Sequence, residues 1–272
     1  INSVTLNFKK AAAILRVVKQ ARPDIITLFG GPHVSFDSKN TLAAHPEIDI
    51  IVKGEGEATI AELLPVIHDR DCWHRIKGIV FKDRNRLIST GRRPFIRDLD
   101  TLPLPARHLL PMARYQALGY PVSIITSRGC PNQCIFCLGR RMVGHKVRFR
   151  SIRQIVDEIE ILTRYGIFVM NIADDLFTVS RRRVRAFCAE LDRRNLHISW
   201  SAFSRVNTID AETLTLMKNA GCHGVSFGIE SGNPEMLKRV KKGITIDQAK
   251  NASTACQLAG IRGHASFMVG LP

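Results

Sequence analysis

Apolar positions along this chain fall into two rhythms that alternate. Residues 11–21 carry Ala12, Leu15 and Val18 at helical spacing and stop at Pro23, the pattern of an amphipathic helix. The run Ile25-Ile26-Thr27-Leu28-Phe29 reads as a buried strand and breaks at Gly30-Gly31-Pro32-His33. A short helix over 38–44, a strand over 48–52, the turn Gly54-Glu55-Gly56-Glu57 and a helix over 58–67 follow. Strand, glycine-rich turn and helix, repeated, predict a doubly wound parallel sheet whose ligands bind at the carboxyl ends of the strands. Apolar runs over 76–81 and 87–89, split by Lys82-Asp83-Arg84-Asn85-Arg86, predict a hairpin. The proline-punctuated stretch 98–107 reads as an extended connector and a domain boundary.

Beyond it, strand-like runs over 122–126, 168–173, 197–203, 224–229 and 265–269 alternate with helical patterns over 151–165, 181–194, 211–219, 234–240 and 247–259. Five such repeats predict a parallel, barrel-like sheet with right-handed crossovers and a site at the carboxyl ends of its strands. The residues at those ends are the loop from Cys130 to Cys137, Asp174-Asp175, Ser204-Arg205, Glu230-Ser231 and Gly270. Each alone is an ordinary turn or cap residue. Together on one rim they predict a site, where carboxylates bind an ammonium and hydroxyls and Arg grips a carboxylate bidentately. The expected division is 1–97, a linker over 98–119, and 120–272.

Composition changes this picture little. A chain of 272 residues, 45% apolar, has a real core to bury. No apolar run reaches membrane-spanning length and no signal-peptide pattern opens the chain, so a cytoplasmic, reducing setting is expected, where cysteines serve metal rather than disulfides. The sequence starts at Ile1 and stops after an apolar strand at Gly270-Leu271-Pro272, and both ends look cut. The net charge of +16 concentrates in Arg140-Arg141, Arg148 to Arg153 and Arg181-Arg182-Arg183. Nucleic acid is one reading of these clusters, but no stacking aromatics interleave them, which favours a solvated face.

The chemistry concentrates in Ser127-Arg128-Gly129-Cys130-Pro131-Asn132-Gln133-Cys134-Ile135-Phe136-Cys137, which packs three of seven cysteines into eight residues. An odd count in so short a loop is not a disulfide framework. The spacing suits a metal. Zinc needs four ligands, and the nearest fourth, His145, matches no common zinc spacing. Three thiolates on an iron-sulfur cluster leave one iron open. Cys72, Cys188, Cys222 and Cys256 are scattered singly, and the last three read as buried packing.

C-x-x-x-C-x-x-C after a first barrel strand, with an aromatic before the third cysteine, resembles the signature of the radical S-adenosylmethionine (radical SAM) enzymes. The resemblance implies that Cys130, Cys134 and Cys137 hold a 4Fe-4S cluster. Its open iron binds the amino and carboxylate groups of S-adenosylmethionine, and one electron cleaves the sulfonium to methionine and a 5'-deoxyadenosyl radical. It places Phe136 beside the adenine, Asp174 or Asp175 on the methionyl amino group, and Ser204 and Arg205 at the methionyl carboxylate. Glu230 in Gly228-Ile229-Glu230-Ser231-Gly232 matches a ribose-binding motif with Ser231 beside it, and Gly270-Leu271-Pro272 looks like the start of an adenine motif. Lys242-Gly243-Ile244-Thr245 also matches the family.

The first half resembles the second part of the cobalamin-binding domain that precedes many radical SAM barrels, and 98–107 is similar to the segment joining the two. The implied corrin contacts are Gly30, Gly31, Pro32 and His33, with Gly54, Glu55 and Gly56 near the cofactor's periphery or nucleotide tail. The Asp-x-His-x-x-Gly motif that supplies a lower cobalt ligand in some cobalamin proteins is absent, since Gly31 and Phe36 flank His33 at its offsets. The fold expected is therefore α/β, the C-terminal part of a doubly wound cobalamin-binding domain followed by a partial parallel (β/α) radical SAM barrel. The function expected is methylation of an unactivated carbon of a small molecule or natural-product intermediate, with cyclisation or rearrangement as variants and a flavodoxin or ferredoxin as electron donor. A radical SAM tRNA methylthiotransferase and a zinc-containing nucleic-acid-binding protein are the alternatives.

Overall fold

The computed structural model describes residues 1–271 of the chain, so Pro272 lies outside the described residues. The chain divides into two compact units, Ile1–Ile96 and Arg97–Pro272.

In the first unit, α1 (Phe8–Ala21) leads to β1 (Leu28–Phe29), then α2 (Pro32–Phe36), α3 (Ser38–Ala44), β2 (Ile50–Val52), α4 (Glu57–Leu63) and the hairpin of β3 (Ile79–Asp83) and β4 (Arg86–Ser89). The sheet order is β1-β2-β3-β4, with β1 and β2 parallel and the hairpin added antiparallel to β2. The parallel winding is therefore limited to one βα repeat and the sheet is mixed. β1 is shorter than its apolar run: the Thr27 carbonyl still accepts from Ile50 N–H, but its own N–H and hydroxyl are taken by Asp49 and by the Glu47 carbonyl. Two apolar layers flank the sheet, one around Leu15, Phe29, Val34 and Ile51, the other around Leu63, Trp73, Ile79 and Phe81.

The second unit runs α5 (Met112–Leu118), β5 (Val122–Ile124), β6 (Ser127–Arg128), α6 (Gly139–Val143), β7 (Arg148–Phe149), α7 (Ile152–Arg164), β8 (Val169–Ile172), α8 (Arg181–Arg193), β9 (Ser199–Ser204), α9 (Ala211–Asn219), β10 (Cys222–Glu230), α10 (Pro234–Arg239), α11 (Ile246–Leu258) and β11 (Arg262–Phe267). Its main sheet, in order β11-β10-β9-β8-β5, is parallel throughout. Side-chain caps start its helices: Ser151, Ser180, Asp210 and Asn233 each accept from backbone N–H groups of the first turn, and Thr245 with Gln248 closes a capping box.

Strands β5, β8 and β9 alternate between buried and more exposed positions. Val122, Ile124, Met170, Ile172, Trp200, Ala202 and Phe227 are buried with Ile155, Ile159, Leu162 and Phe187 of the helices, and Phe177, Phe187 and Trp200 meet edge to face. Ser123, Asn171, Ser201, Phe203 and Ser226 occupy the other face and are partly or fully exposed. Parallel strands usually bury both faces. Here one face stays small, polar and accessible.

Part of the Arg-rich sequence turns inward, contrary to the reading as a solvated face. Glu158 on α7 is 2% exposed, and its oxygens receive Arg107 at 2.7 Å and Arg150 at 2.6 Å. Arg183 donates to the carbonyls of Thr126 and Arg150 and stacks over Phe149. A buried carboxylate and strand-end carbonyls need donors, and these arginines supply them. The connector belongs to the same network, because Asp100 accepts from Ser151 N while its carbonyl accepts from Gln154. Among the described residues no helix is long and apolar enough to cross a membrane.

Glu158→Ala leaves two half-buried cations without their anion, and chemical denaturation is expected to show a loss of about 3–5 kcal/mol. Burial pushes the thiols of Cys188 and Cys222 up to about 12. Iodoacetamide at pH 8 is therefore expected to spare both in the folded protein and to label both after unfolding, as peptide mass spectrometry would show.

Candidate functional site

At the carboxyl end of β5 the chain turns sharply into the cysteine loop, and Asp174, just past β8, fixes that turn. Its carboxylate is 2% exposed. It accepts from the N–H groups of Thr126 and Ser127 at 2.6 and 3.0 Å and from their hydroxyls at 2.5 and 2.6 Å. Burial pushes the Asp174 carboxyl above its ordinary range, against the pull of those four donors. The loop's stem is then clamped by the β6–β7 ribbon, with Ser127 opposite Phe149 and Arg128 opposite Arg148. Gly129 sits at φ 110°, and a Cβ there would stand 2.4 Å from the Lys146 carbonyl oxygen, so only glycine lets the ribbon close. Further in, Cys130 N–H donates to the Gly144 carbonyl and Ile135 N–H to the Val240 carbonyl.

The loop opens on a cavity of about 300 Å³. Its lining brings together Cys130, Cys134, Phe136, Cys137, Asp174, Asp175, Ser204, Arg205 and Glu230, all expected from the sequence, with Gly228 and Lys242, which lie in the family-like motifs but carried no expected contact, and Asn132, Arg140, Phe203 and Ser226, which were not expected. Ser231 and Gly270 are not in the lining: the Ser231 hydroxyl accepts from Asn233 N–H instead, and Gly270 faces open space. Each sulfur of the loop meets one N–H donor. Cys130 Sγ accepts from the Asn132 amide, Cys134 Sγ from Arg205 and Cys137 Sγ from Gly139 N–H, at 3.2, 3.5 and 3.4 Å.

Two of the expected ligand groups are already engaged. Ser204 shares its hydroxyl with Thr178 at 2.5 Å and is buried. Of the acidic pair, Asp174 serves the loop stem, whereas Asp175 is exposed to the cavity and takes Gly129 N–H on Oδ2. Across the cavity, Glu230 ends β10 beyond a register shift, with φ 74°. Its carboxylate folds back over Gly228, where a Cβ would stand 2.4 Å from Oε1 and 2.9 Å from Lys242 Nζ. Lys242, 5% exposed, pairs with Glu230 at 2.8 Å and lies over the Phe136 ring at 5.7 Å. A lysine after a helix end gives no sequence signal of this role; only the fold brings it under Glu230.

Among the described residues no group of three or more His, Cys, Asp or Glu side chains converges as a single ion requires. The three thiols instead surround one cavity wall, as ligands to separate irons of a cluster must. His145 is exposed and outside the lining.

In the first unit the two glycine turns follow the adjacent ends of β1 and β2, where Leu28 pairs with Ile50 and Phe29 with Ile51. Ser35, which the sequence did not flag, joins them: its hydroxyl donates to the Gly31 carbonyl and accepts from Gly54 N–H. Gly31 lies against Asn2 and Ser3, Gly54 and the side it would extend from are open, and Gly56 abuts Val52. His33 meets the Phe8 ring in a tilted contact at 4.0 Å between centroids and bonds Thr5 through Nδ1. Pro32 begins α2, and Glu55 accepts from Ile96 N–H.

Asp174→Ala is expected to release the stem, and amide hydrogen exchange over residues 126–130 is expected to accelerate by about tenfold or more while α8 and α9 stay protected. Gly228→Ala is expected to displace Glu230 and Lys242 and to cost about 1–3 kcal/mol in denaturant melts.

Known proteins resemble this chain in both of its units. The B12 binding domain profile matches residues 1–64. An uncharacterized methyltransferase of Pyrococcus horikoshii is 35% identical over 274 residues, covering 100% of this chain and 60% of that protein. The anaerobic magnesium-protoporphyrin IX monomethyl ester cyclase of Rubrivivax gelatinosus is 33% identical over 284 residues, covering 99% and 50%. The chain thus spans little more than half the length of these relatives. The fold is that of the radical SAM methyltransferase TsrM from Kitasatospora setae, solved with cobalamin and a [4Fe-4S] cluster, at TM-score 0.82 and 21% identity over 98% of this chain and 53% of that one. The radical SAM superfamily profile matches residues 124–272, from β5 through the cysteine loop to the last strand, and the chain belongs to that superfamily.

Proposed function

We propose that this chain is the cofactor-binding portion of a cobalamin-dependent radical SAM enzyme that methylates an unactivated carbon of a small molecule. The observation that carries the reading is three free thiols on one loop, each met by an N–H donor, on the wall of a cavity that also holds three carboxylates, three cations and two aromatic rings. The donor set suits an iron-sulfur cluster, and a cavity of about 300 Å³ lies within the range of sites for molecules of cofactor size. Two glycine-rich turns at neighbouring strand ends, one of them open at Gly54, suit the flat face of a corrin. We assign the cobalamin part to 1–97, the linker to 98–119 and the barrel to 120–272.

When bound, these groups supply one-electron cleavage of S-adenosylmethionine and a transferable methyl group. The chain's own residues bind and orient. Cys130, Cys134 and Cys137 hold the cluster and leave one iron for the methionyl amino and carboxylate groups. Asp175, the accessible carboxylate of its pair, faces the ammonium. Glu230, kept in place by Lys242, faces the ribose, and Phe136 lies against the adenine. Gly30, Gly31, Pro32, His33, Gly54, Glu55 and Gly56 form the corrin shelf, with His33 committed to Phe8 and Thr5 rather than to cobalt. The open inner face at Ser123, Asn171, Ser201 and Ser226 is where substrate meets the barrel. A reduced flavodoxin or ferredoxin is the electron source.

Anaerobic reconstitution is expected to give a brown protein with about four irons per chain that releases methionine and 5'-deoxyadenosine from S-adenosylmethionine under dithionite. Cys134→Ser is expected to abolish both properties, and stoichiometric zinc without iron would overturn the reading. Gly54→Leu, placed in open space at positive φ, is expected to cost about 1–2 kcal/mol of stability and to lose retained corrinoid on gel filtration while iron uptake stays intact.

A further inference from the structure

The three donors to the loop sulfurs are not equivalent. Asn132 and Gly139 offer neutral N–H groups, whereas Arg205 offers a full positive charge through Nη1 to Cys134 Sγ. Arg205 is 6% exposed. Its Nε donates to Asn207 Oδ1 at 3.3 Å and its Nη2 to the Lys242 carbonyl, so its other partners are neutral oxygens. A cation removed from water in this way needs an anion. The nearby carboxylate of Glu230 is taken by Lys242. The group bonded to Arg205 that can carry negative charge is the Cys134 sulfur.

We infer that Arg205 is a positioning residue for the cluster and not a ligand to the methionyl carboxylate: it fixes a positive charge on Cys134 and biases the bound cluster toward its reduced state. The inference rests on the reading of the three cysteines as cluster ligands. Reduction adds one electron and moves no proton, so the cluster gains one unit of negative charge beside a guanidinium that is already in place. Hydrogen bonds and fixed charge at the sulfurs are among the levers that set such potentials. The aim of the guanidinium is set from two sides, by Asn207 just past β9 and by the Lys242 backbone, and Asn207 in turn donates to the Gly243 carbonyl. The segment that holds Glu230 through the Lys242 ammonium therefore also holds Arg205 through the Lys242 carbonyl.

The test compares the full chain with Arg205→Gln and Arg205→Lys after anaerobic reconstitution. It measures iron content, midpoint potential by dithionite titration followed by electron paramagnetic resonance, and S-adenosylmethionine affinity by equilibrium dialysis. Arg205→Gln is expected to keep its iron and to shift the midpoint more negative by about 59 mV or more, a tenfold change in the one-electron equilibrium. Arg205→Lys, which keeps the charge, is expected to recover most of that shift. An unchanged midpoint in Arg205→Gln at full iron content overturns the inference. So does an affinity loss of about tenfold or more with an unchanged midpoint, which returns Arg205 to the carboxylate. If Arg205→Gln does not load, a loaded Arg205→Lys at the wild-type midpoint supports the charge as the operative feature, and failure of both to load overturns it. Wild-type protein that takes up no iron sinks the functional reading itself, a result distinct from these.

Discussion

One buried carboxylate decides where the reactive loop stands. Asp174 lies past the second strand of the parallel sheet yet collects four hydrogen bonds from Thr126 and Ser127 at the end of the first. Without it the chain leaving β5 would have two unpaired N–H groups and no fixed direction, because β5 itself is three residues long. The cost of burying the charge is reduced, though not cancelled, by donors that are rigid and local. From that point the ribbon, the Gly129 contact and the Val240 carbonyl carry the loop across the top of the sheet, and all three thiols arrive on one wall.

The cavity is an arrangement of charges as much as a shape. Three carboxylates, Asp174, Asp175 and Glu230, and two buried cations, Arg205 and Lys242, line it, and they are not paired at random. Lys242 neutralises Glu230, leaving Arg205 directed at sulfur. No Asp or Glu occurs between Asp100 and Asp157, so the loop and its flanks form a basic surround for anionic sulfur. Coulomb attraction at these separations is substantial in a partly desolvated site. The inward-turned arginines do the remaining work of satisfying strand-end carbonyls, which explains why a chain of such high positive charge does not simply present it all to solvent.

Much of this could be read from the residues, for physical reasons that differ by element. The longer helices of the second unit announce themselves because they pair an apolar stripe with a side-chain cap, as at Ser151 and Thr245. The cysteine spacing was legible because ligand chemistry is written in residue identity. Strand ends were less so: Thr27 turned its N–H to Asp49, and Cys222 proved to begin β10 rather than precede it, choices set by partners more than 20 residues away. The residues expected on the rim line the cavity except for Ser231 and Gly270, and those that do line it differ in role. Ser204 and Asp174 face inward to hold backbone and hydroxyl groups, Ser231 caps its own turn, and Lys242 and Asn132 enter only when the chain is folded. A side chain's type was readable, and its neighbours were not.

The Glu158 clamp has a consequence for dissecting the molecule. Its two arginines come from opposite sides of the loop, Arg107 from the proline-rich stretch and Arg150 from just past the strand that closes the ribbon, so the stretch is a strap buckled onto the barrel. A cut near Pro111 would leave the buckle half fastened and a buried anion short of one partner. The clean seam is ahead of Asp98, where the separated C-terminal piece would keep every tooth of the clasp.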